Sequence, residues 1–208
     1  MIRRGCLFAL LGIFGGLGML FEAADIGARH YATTKIEQRI RLSVPEAQGV
    51  KAHIHGWPFL KVGVNGRVDD VGANITRVVE KGLSFTQVTI ELHGLKIDQA
   101  KLVSENKVVV QSIRTGTMTA SITAGDLGSA LGLPLTASGT GFTLRGAPVR
   151  TTINAATRAI QISAAGMASV SLPLPGPNLL PCVPTIAYKG DTVVLSCTFK
   201  QVPSAFTA

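Results

Sequence analysis

The sequence predicts an α+β domain built on a long, highly curved antiparallel β-sheet that is wrapped with one or two helices. Val88, Ile90 and Leu92 alternate with polar residues, which is the period of a strand with one apolar face. At Gly94 the alternation shifts by one residue, so that Leu95 carries the apolar pattern onward. A shift at glycine is typical of a β-bulge, and a bulge bends a long strand. A helical segment precedes this strand, and further short strands follow it.

The first 24 residues predict a separate export segment. Arg3 and Arg4 precede an uncharged apolar run from Gly5 to Phe21, the pattern of a signal peptide or a signal anchor. Large residues occupy the minus-three position of the nearby cleavage-like sequences, so we favour an uncleaved anchor over a cleaved secretory peptide. Because the arginines orient the N-terminus inward, residues 25–208 are expected in the cell envelope, on the periplasmic side of the plasma membrane.

Residues 25–42 predict an amphipathic helix. Asp25 is a suitable N-cap, Ile36 and Ile40 repeat on one face, and Pro45 ends the helix. The other faces are basic and carry Arg29, Lys35, Arg39 and Arg41. Two interpretations stay open: a solvated face of a packing helix, or a face that contacts anionic lipid head groups beside the anchor.

Two histidines follow on the next predicted strand. His53 and His55 share one face of it, the spacing that two metal ligands would use. No third ligand is near in sequence, since His93 is the only other candidate. We therefore interpret them as ordinary strand histidines and predict no metal site.

The remaining chain predicts strands, one short helix and a hairpin. Residues 107–123 are rich in Val, Thr and Ile, with Gly116 as a break, and Thr123 can cap a helix over residues 124–133. Alternating apolar residues between 142 and 162 predict an antiparallel meander.

The hairpin near the C-terminus predicts a disulfide. Residues 183–188 and 192–199 flank Lys189-Gly190, and a two-residue turn there places Tyr188 opposite Asp191. In that register Cys182 lies directly opposite Cys197, which suits a disulfide worth about 3 kcal/mol for a loop of this size. A disulfide indicates an oxidising compartment, in agreement with export.

Composition and motifs exclude several classes of function. The chain has 46% hydrophobic residues, a mean hydropathy of +0.35 and a net charge of +8. It has no nucleophile elbow, phosphate-binding loop, zinc pattern or Cys-x-x-Cys, so we predict neither an enzyme nor a cofactor. Few aromatic residues accompany the positive charge, and export argues against nucleic acid. Anionic phospholipid at a membrane is the better partner.

Several of these residues also carry a resemblance to a known family. The apolar strand, the G-x-P-F-L element and the long strands ending in L-x-G-L are similar to the LmeA-like phospholipid-binding family of actinobacterial envelope proteins, through Gly56, Pro58, Phe59, Leu60, Gly66, Leu92, Gly94 and Leu95. A second match is the strand at 119–123 that leads into a short helix. The resemblance covers residues 25 to 203 and implies half of a tubular lipid-binding fold.

The resemblance implies binding of phospholipids, phosphatidylinositol types among them, and a role in cell-envelope mannan or lipoglycan maturation or in lipid transport. Acyl chains would lie between sheet and helix. The candidate lining residues are Trp57, Phe59, Leu60, Phe85, Val88, Ile90 and Leu92, and the candidate head-group residues are Lys61, Arg67, Arg77 and Lys81. The alternative is a non-catalytic structural or adaptor protein with a filled core and a basic binding surface.

The export segment gives the first prediction. Full-length protein should fractionate with membranes and a chain that begins at Asp25 should not, because only the first segment is long and apolar enough to span a bilayer. Fractionation followed by N-terminal sequencing measures this. Mature protein that starts near residue 25 would instead establish cleavage and secretion.

Overall fold

The order of elements is known from a computed structural model that describes residues 24–56, 65–80, 82–105, 109–139, 141–166, 169–174 and 180–201. The predicted export segment lies outside these residues apart from its last residue. Among the helices that are described, none combines the length and the apolar character needed to cross a bilayer.

The chain alternates between short strands and three described helices. The elements are α1 (residues 24–43), β1 (Lys51–His55), β2 (Arg67–Ile75), β3 (Val78–Glu80), β4 (Leu83–Phe85), β5 (Gln87–Ile97), α2 (Gln99–Glu105), β6 (Val110–Ser112), β7 (Thr115–Thr123), α3 (Ala124–Leu131), β8 (Leu135–Ser138), β9 (Gly141–Leu144), β10 (Ala147–Asn154), β11 (Ala159–Ala164), β12 (Val170–Pro173), β13 (Thr185–Lys189) and β14 (Thr192–Phe199).

The strands form two main sheets, and every pairing in them is antiparallel. The larger sheet has the order β1-β2-β5-β7-β14-β13, and β6 extends the line of β7 along β5. The smaller sheet has the order β12-β11-β10-β9-β8 and contains the predicted meander, while β3 and β4 form a separate ribbon. The α+β class is confirmed. The sequence predicted one long sheet, and the structure divides the strands between two.

The shift of the apolar pattern at Gly94 is confirmed, and it is shared by the neighbouring strands. In β5 the buried residues change from Val88 and Leu92 to Leu95, and Gly94 has a left-handed φ of 62°. The β2–β5 register continues without an added residue, because β2 shifts at the matching position. At this level each strand line has two consecutive residues that face outward, and we call this line across the sheet the crease. Its residues are Asp69–Asp70, His93–Gly94 and Arg114–Thr115.

The apolar side of the larger sheet, here called the inner face, forms one core with α1, α3, the ribbon and the smaller sheet. Helix α1 runs beside the edge strand β1. The backbone N–H of Ala52 donates to Glu37 Oε1 at 2.9 Å, and Arg29 Nη2 donates to the Gly56 carbonyl at 2.9 Å. An edge strand exposes unpaired backbone groups, so these contacts partly satisfy the outer edge of β1.

Both predicted helices exist, with one difference in capping. In α3 the Thr123 hydroxyl oxygen accepts the N–H of Asp126 at 3.1 Å, as predicted. The helix ends at Leu131, two residues before the predicted end, because Gly132 caps it in the left-handed conformation. Asp25, expected as an N-cap, lies inside α1, where its buried carboxylate pairs with Arg29 at 3.1 Å.

The predicted break at Gly116 is wrong, because the strand is interrupted at residues 113–114 instead. Gly116 is fully paired in β7, opposite Leu92 and Phe199. A Cβ atom at Gly116 would lie 2.4 Å from the Phe199 ring, so glycine is required here for close packing rather than for a turn.

The disulfide between Cys182 and Cys197 is confirmed, with Cα atoms 6.0 Å apart. The register that led to it is wrong, since Tyr188 pairs with Val193 and the turn is formed by Gly190 and Asp191. Cys182 therefore lies ahead of β13, whose pairing begins at Thr185, and the disulfide ties a non-paired segment to β14.

Breaking this disulfide should destabilise the domain. The bridge closes a separation of 15 residues, for which loop entropy gives about 3 kcal/mol. The double change Cys182→Ser and Cys197→Ser should lower the denaturation midpoint, and reductant should lower it in the wild type only. Free thiols at both positions in native protein would contradict the disulfide.

Gly94 offers a test of the crease. Gly94→Ala should cost about 1–2 kcal/mol, because a Cβ is disfavoured in the left-handed region. Gly125→Ala in α3 is the control and should be neutral or stabilising, since alanine favours the helix and meets only the Thr123 hydroxyl at 3.9 Å. Equal stability changes in urea denaturation would show that Gly94 is not needed for the crease.

Candidate functional site

Three rows of side chains on the inner face cross strands β2, β5, β7 and β14, on the side of the crease away from β6. Residues that face each other in the registers of β1, β2, β5, β7 and β14 share a row, and successive inner rows are two residues apart. The row beside the crease is Ile54, Val71, Leu92, Gly116 and Phe199. The middle row is Ala52, Ala73, Ile90, Met118 and Cys197, and the far row contains Ile75, Val88, Ala120 and Leu195.

The row beside the crease and the far row are almost completely covered, except at Val71. Val88 is 1% exposed and Leu92 is 4% exposed. Helix α3 and strand β4 pack against each other and against β7, which covers the far row. The ring of Phe199 lies over Gly116 and beside Leu92. A water-sized sphere barely reaches these side chains.

The centre of the inner face is less tightly closed. Val71 and Ile90 lie on interior strands, yet both are only partly buried against the core. In the row of Ile90 the neighbours are Ala52 and Ala73, whose short side chains leave more room above the sheet than larger residues would. Among the residues of the three rows, Ala52, Val71 and Ile90 are the partly exposed ones, and they lie on the neighbouring strands β1, β2 and β5.

The structure brings together part of the predicted lining. Val88, Ile90 and Leu92 share the inner face, and Phe85 belongs to the ribbon, 2% exposed in the same core. The other three lining candidates, Trp57, Phe59 and Leu60, lie outside the described residues and stay predictions.

The predicted head-group residues do not form one group. Lys61 and Lys81 lie outside the described residues. Arg67 begins β2 and Arg77 follows its end, and both are exposed. Ten residues of strand span about 30 Å, so these two arginines cannot hold the same phosphate.

The opposite side of the sheet, the outer face, carries histidine–carboxylate pairs. His53 Nε2 lies 3.3 Å from Glu91 Oε2, and His93 Nδ1 lies 2.5 Å from Asp70 Oδ1. The first pair closes over Gly72, where a Cβ would be 2.1 Å from His53 Nε2. Sequence reasoning missed Glu91 as the partner, although the glycine between two polar strands is a signal for such a close approach.

These pairs give His53 and His93 carboxylate partners on other strands of the same sheet. Within the described ranges there is no group of three histidine, cysteine or acidic side chains arranged to hold a metal ion. Each pair is about one third or more exposed, so each contributes little to stability, about 0–1 kcal/mol.

A groove of about 350 Å³ also opens on the outer face. Its lining is rich in hydroxyl groups and includes Thr117, Thr119, Thr185, Ser196, Thr198 and Val183. Burying hydroxyl groups against an acyl chain would cost their hydrogen bonds to water, so this groove does not suit a lipid tail.

The fold and its inner face define a class of protein, an antiparallel sheet protein with an apolar face that is partly open at its centre. A family model described as LmeA-like phospholipid-binding matches residues 23–181, and the chain belongs to this family. The family is a phospholipid-binding one and not a known enzyme family. Searches of curated proteins and of solved structures found no match.

Proposed function

We propose that this protein is exported, associates with the membrane and holds phospholipid acyl chains against the centre of the inner face, at Val71 and Ile90. Its role would be in cell-envelope mannan or lipoglycan maturation or in lipid transport, with anionic lipids, phosphatidylinositol types among them, as ligands. The observation that carries the proposal is the incomplete burial of Val71 and Ile90 in a chain whose family binds phospholipids.

The chemistry of the middle row suits an acyl chain. Each methylene group that leaves water is worth about 0.8 kcal/mol, so a few carbons over Ile90 and Ala73 already give useful affinity. Polar partners are not needed there, because a hydrocarbon chain offers no hydrogen bonds to satisfy. Tail and head group would then be bound by different parts of the protein.

Two features support export. The uncharged apolar run after Arg3 and Arg4 is of signal-sequence length, and the Cys182–Cys197 disulfide suits an oxidising compartment. An anchor at residues 1–24 would keep the domain beside the bilayer from which its lipid comes. Secretion after cleavage would leave the domain free to carry lipid away.

A second function, a structural or adaptor protein with a filled core, is favoured by the near-complete burial of Phe85, Val88 and Leu92. In that case Ile90 is an ordinary core residue at a loosely packed point. The basic surface of the chain would then bind an anionic partner. The two functions differ in whether the room beside Ile90 holds a ligand.

Filling that room separates the two functions. Ile90→Trp should reduce lipid uptake while changing the free energy of unfolding by less than about 1 kcal/mol, because the indole enters space that an acyl chain would occupy. Uptake from liposomes by native mass spectrometry and unfolding in urea are the measurements.

Leu92→Trp is the matched comparison. Leu92 Cδ2 would lie 3.0 Å from a Cβ at Gly116, and the Phe199 ring covers the same glycine, so the larger ring should overpack and cost about 1–3 kcal/mol. If Ile90→Trp destabilises as strongly and the wild type carries no phospholipid, the filled-core function is correct.

A further inference from the structure

Three cations lie close together on the outer face, on the side of the crease that contains β6. In the antiparallel register Arg67 of β2 faces Lys96 of β5, and Lys96 in turn faces Ser112 of β6. Arg114 follows Ser112 by two residues, beside Gly94. Opposite Cβ atoms in such a ladder are about 5 Å apart, and diagonal neighbours are about 7–8 Å apart. All three side chains are exposed and long enough to reach one common point.

Gly94 fixes the position of Arg114. A Cβ at Gly94 would lie 3.0 Å from both Cβ and Nε of Arg114 and 3.3 Å from its Cζ. The guanidinium group therefore lies against the backbone of β5, the strand that also carries Lys96. Only glycine leaves room for this placement, and its left-handed φ of 62° belongs to the same residue.

Two of the nearby carboxylates, Asp70 and Asp98, have partners of their own. Asp70 pairs with His93 at 2.5 Å. Asp98 accepts the backbone N–H of Lys101 at 3.1 Å, and this hydrogen bond holds the pKa of Asp98 below its usual range. Asp69 is directed toward β1, with Oδ2 3.4 Å from the Cβ position of Gly56.

Within the part of the chain that the structure describes, Arg67, Lys96 and Arg114 form no ion pair. Like charges directly opposite each other on neighbouring strands are destabilising. An anion bound between the three cations replaces their mutual repulsion with attraction to the anion. Two guanidinium groups and an ammonium group can donate hydrogen bonds to the oxygens of a phosphate.

We propose that Arg67, Lys96 and Arg114 form a binding site for a phosphate group on the outer face beside the crease. The phosphate belongs to a lipid head group or to a soluble phosphate. The site lies at the end of the sheet where Arg29 of α1 meets Gly56, so it is close to the point where the export segment joins the domain. Only the lipid source depends on the proposed function.

Inorganic phosphate is the first probe. Full-length protein in an uncharged detergent should bind phosphate in calorimetry, and the triple change Arg67→Gln, Lys96→Gln and Arg114→Gln should weaken binding at least tenfold. The control changes Lys51, Arg150 and Lys189 to Gln, three exposed cations elsewhere that remove the same net charge, and should bind within twofold of the wild type. Equal loss in both triple variants would overturn the site, since net charge alone would then explain binding.

The variant Asp69→Asn tests whether loss of folding, rather than loss of the site, explains weaker phosphate binding in the triple variant. Removing the nearest carboxylate that has no strong partner of its own should strengthen phosphate binding severalfold, and damage to the fold cannot produce such a gain. Unchanged affinity in Asp69→Asn together with unchanged affinity in the triple variant would overturn the proposal.

Lipid uptake identifies the source of the phosphate. Native mass spectrometry should compare phosphatidylglycerol with diacylglycerol of the same acyl chains. If the site holds a head group, the cation triple variant takes up at least fivefold less phosphatidylglycerol and as much diacylglycerol as the wild type. Cation-dependent binding of inorganic phosphate without any lipid uptake supports the site with a soluble phosphate as its ligand, and contradicts the proposed function alone. If the triple change leaves the uptake of both lipids unaffected and the wild type binds no inorganic phosphate, the phosphate site is overturned but the proposed function is not.

Discussion

The matched shift at the crease is the constraint on which the larger sheet depends. A shift of one residue in a single strand would turn its apolar side chains to the wrong face. Here β2 and β5 shift at positions that face each other, and the third strand line is interrupted between β6 and β7 at the same level, so the pairing keeps its register and Val68, Leu95 and Ile113 remain inside. Gly94 provides the unusual backbone angle in the central strand. The change of apolar parity is thus shared by three adjacent strand lines of the sheet.

The crease also separates two kinds of chemistry. On the inner side it leaves only apolar rows, and one of them is partly open at Ile90. On the outer side it stacks consecutive polar residues, so that Asp70 and His93 pair while Arg114 lies against Gly94. The same backbone feature therefore places an apolar surface and a cationic cluster on opposite sides of one sheet.

The sequence patterns predicted those features of the fold that depend on residues close together in the chain. The shift at Gly94, the Thr123 cap and the meander are local signals, and the structure has all three. The predicted hairpin register was wrong. Moving the turn by one residue, from Lys189-Gly190 to Gly190-Asp191, changes every strand partner by two residues, so the alternation of faces is the same in both registers. The sequence pattern did not predict which strands pair with each other. It therefore did not predict that Arg67 faces Lys96, because residues 29 positions apart show no periodic signal.

The C-terminal hairpin links the family's fold to features of this chain. The family match ends at residue 181, yet β14 lies between β7 and β13 in the larger sheet. It contributes Leu195 and Phe199 to the inner face, and the Phe199 ring covers the row beside the crease. The disulfide of Cys197 holds this strand in place. Because the Phe199 ring lies beside Leu92, two residues from Ile90, the hairpin borders the part of the inner face where we propose that an acyl chain binds.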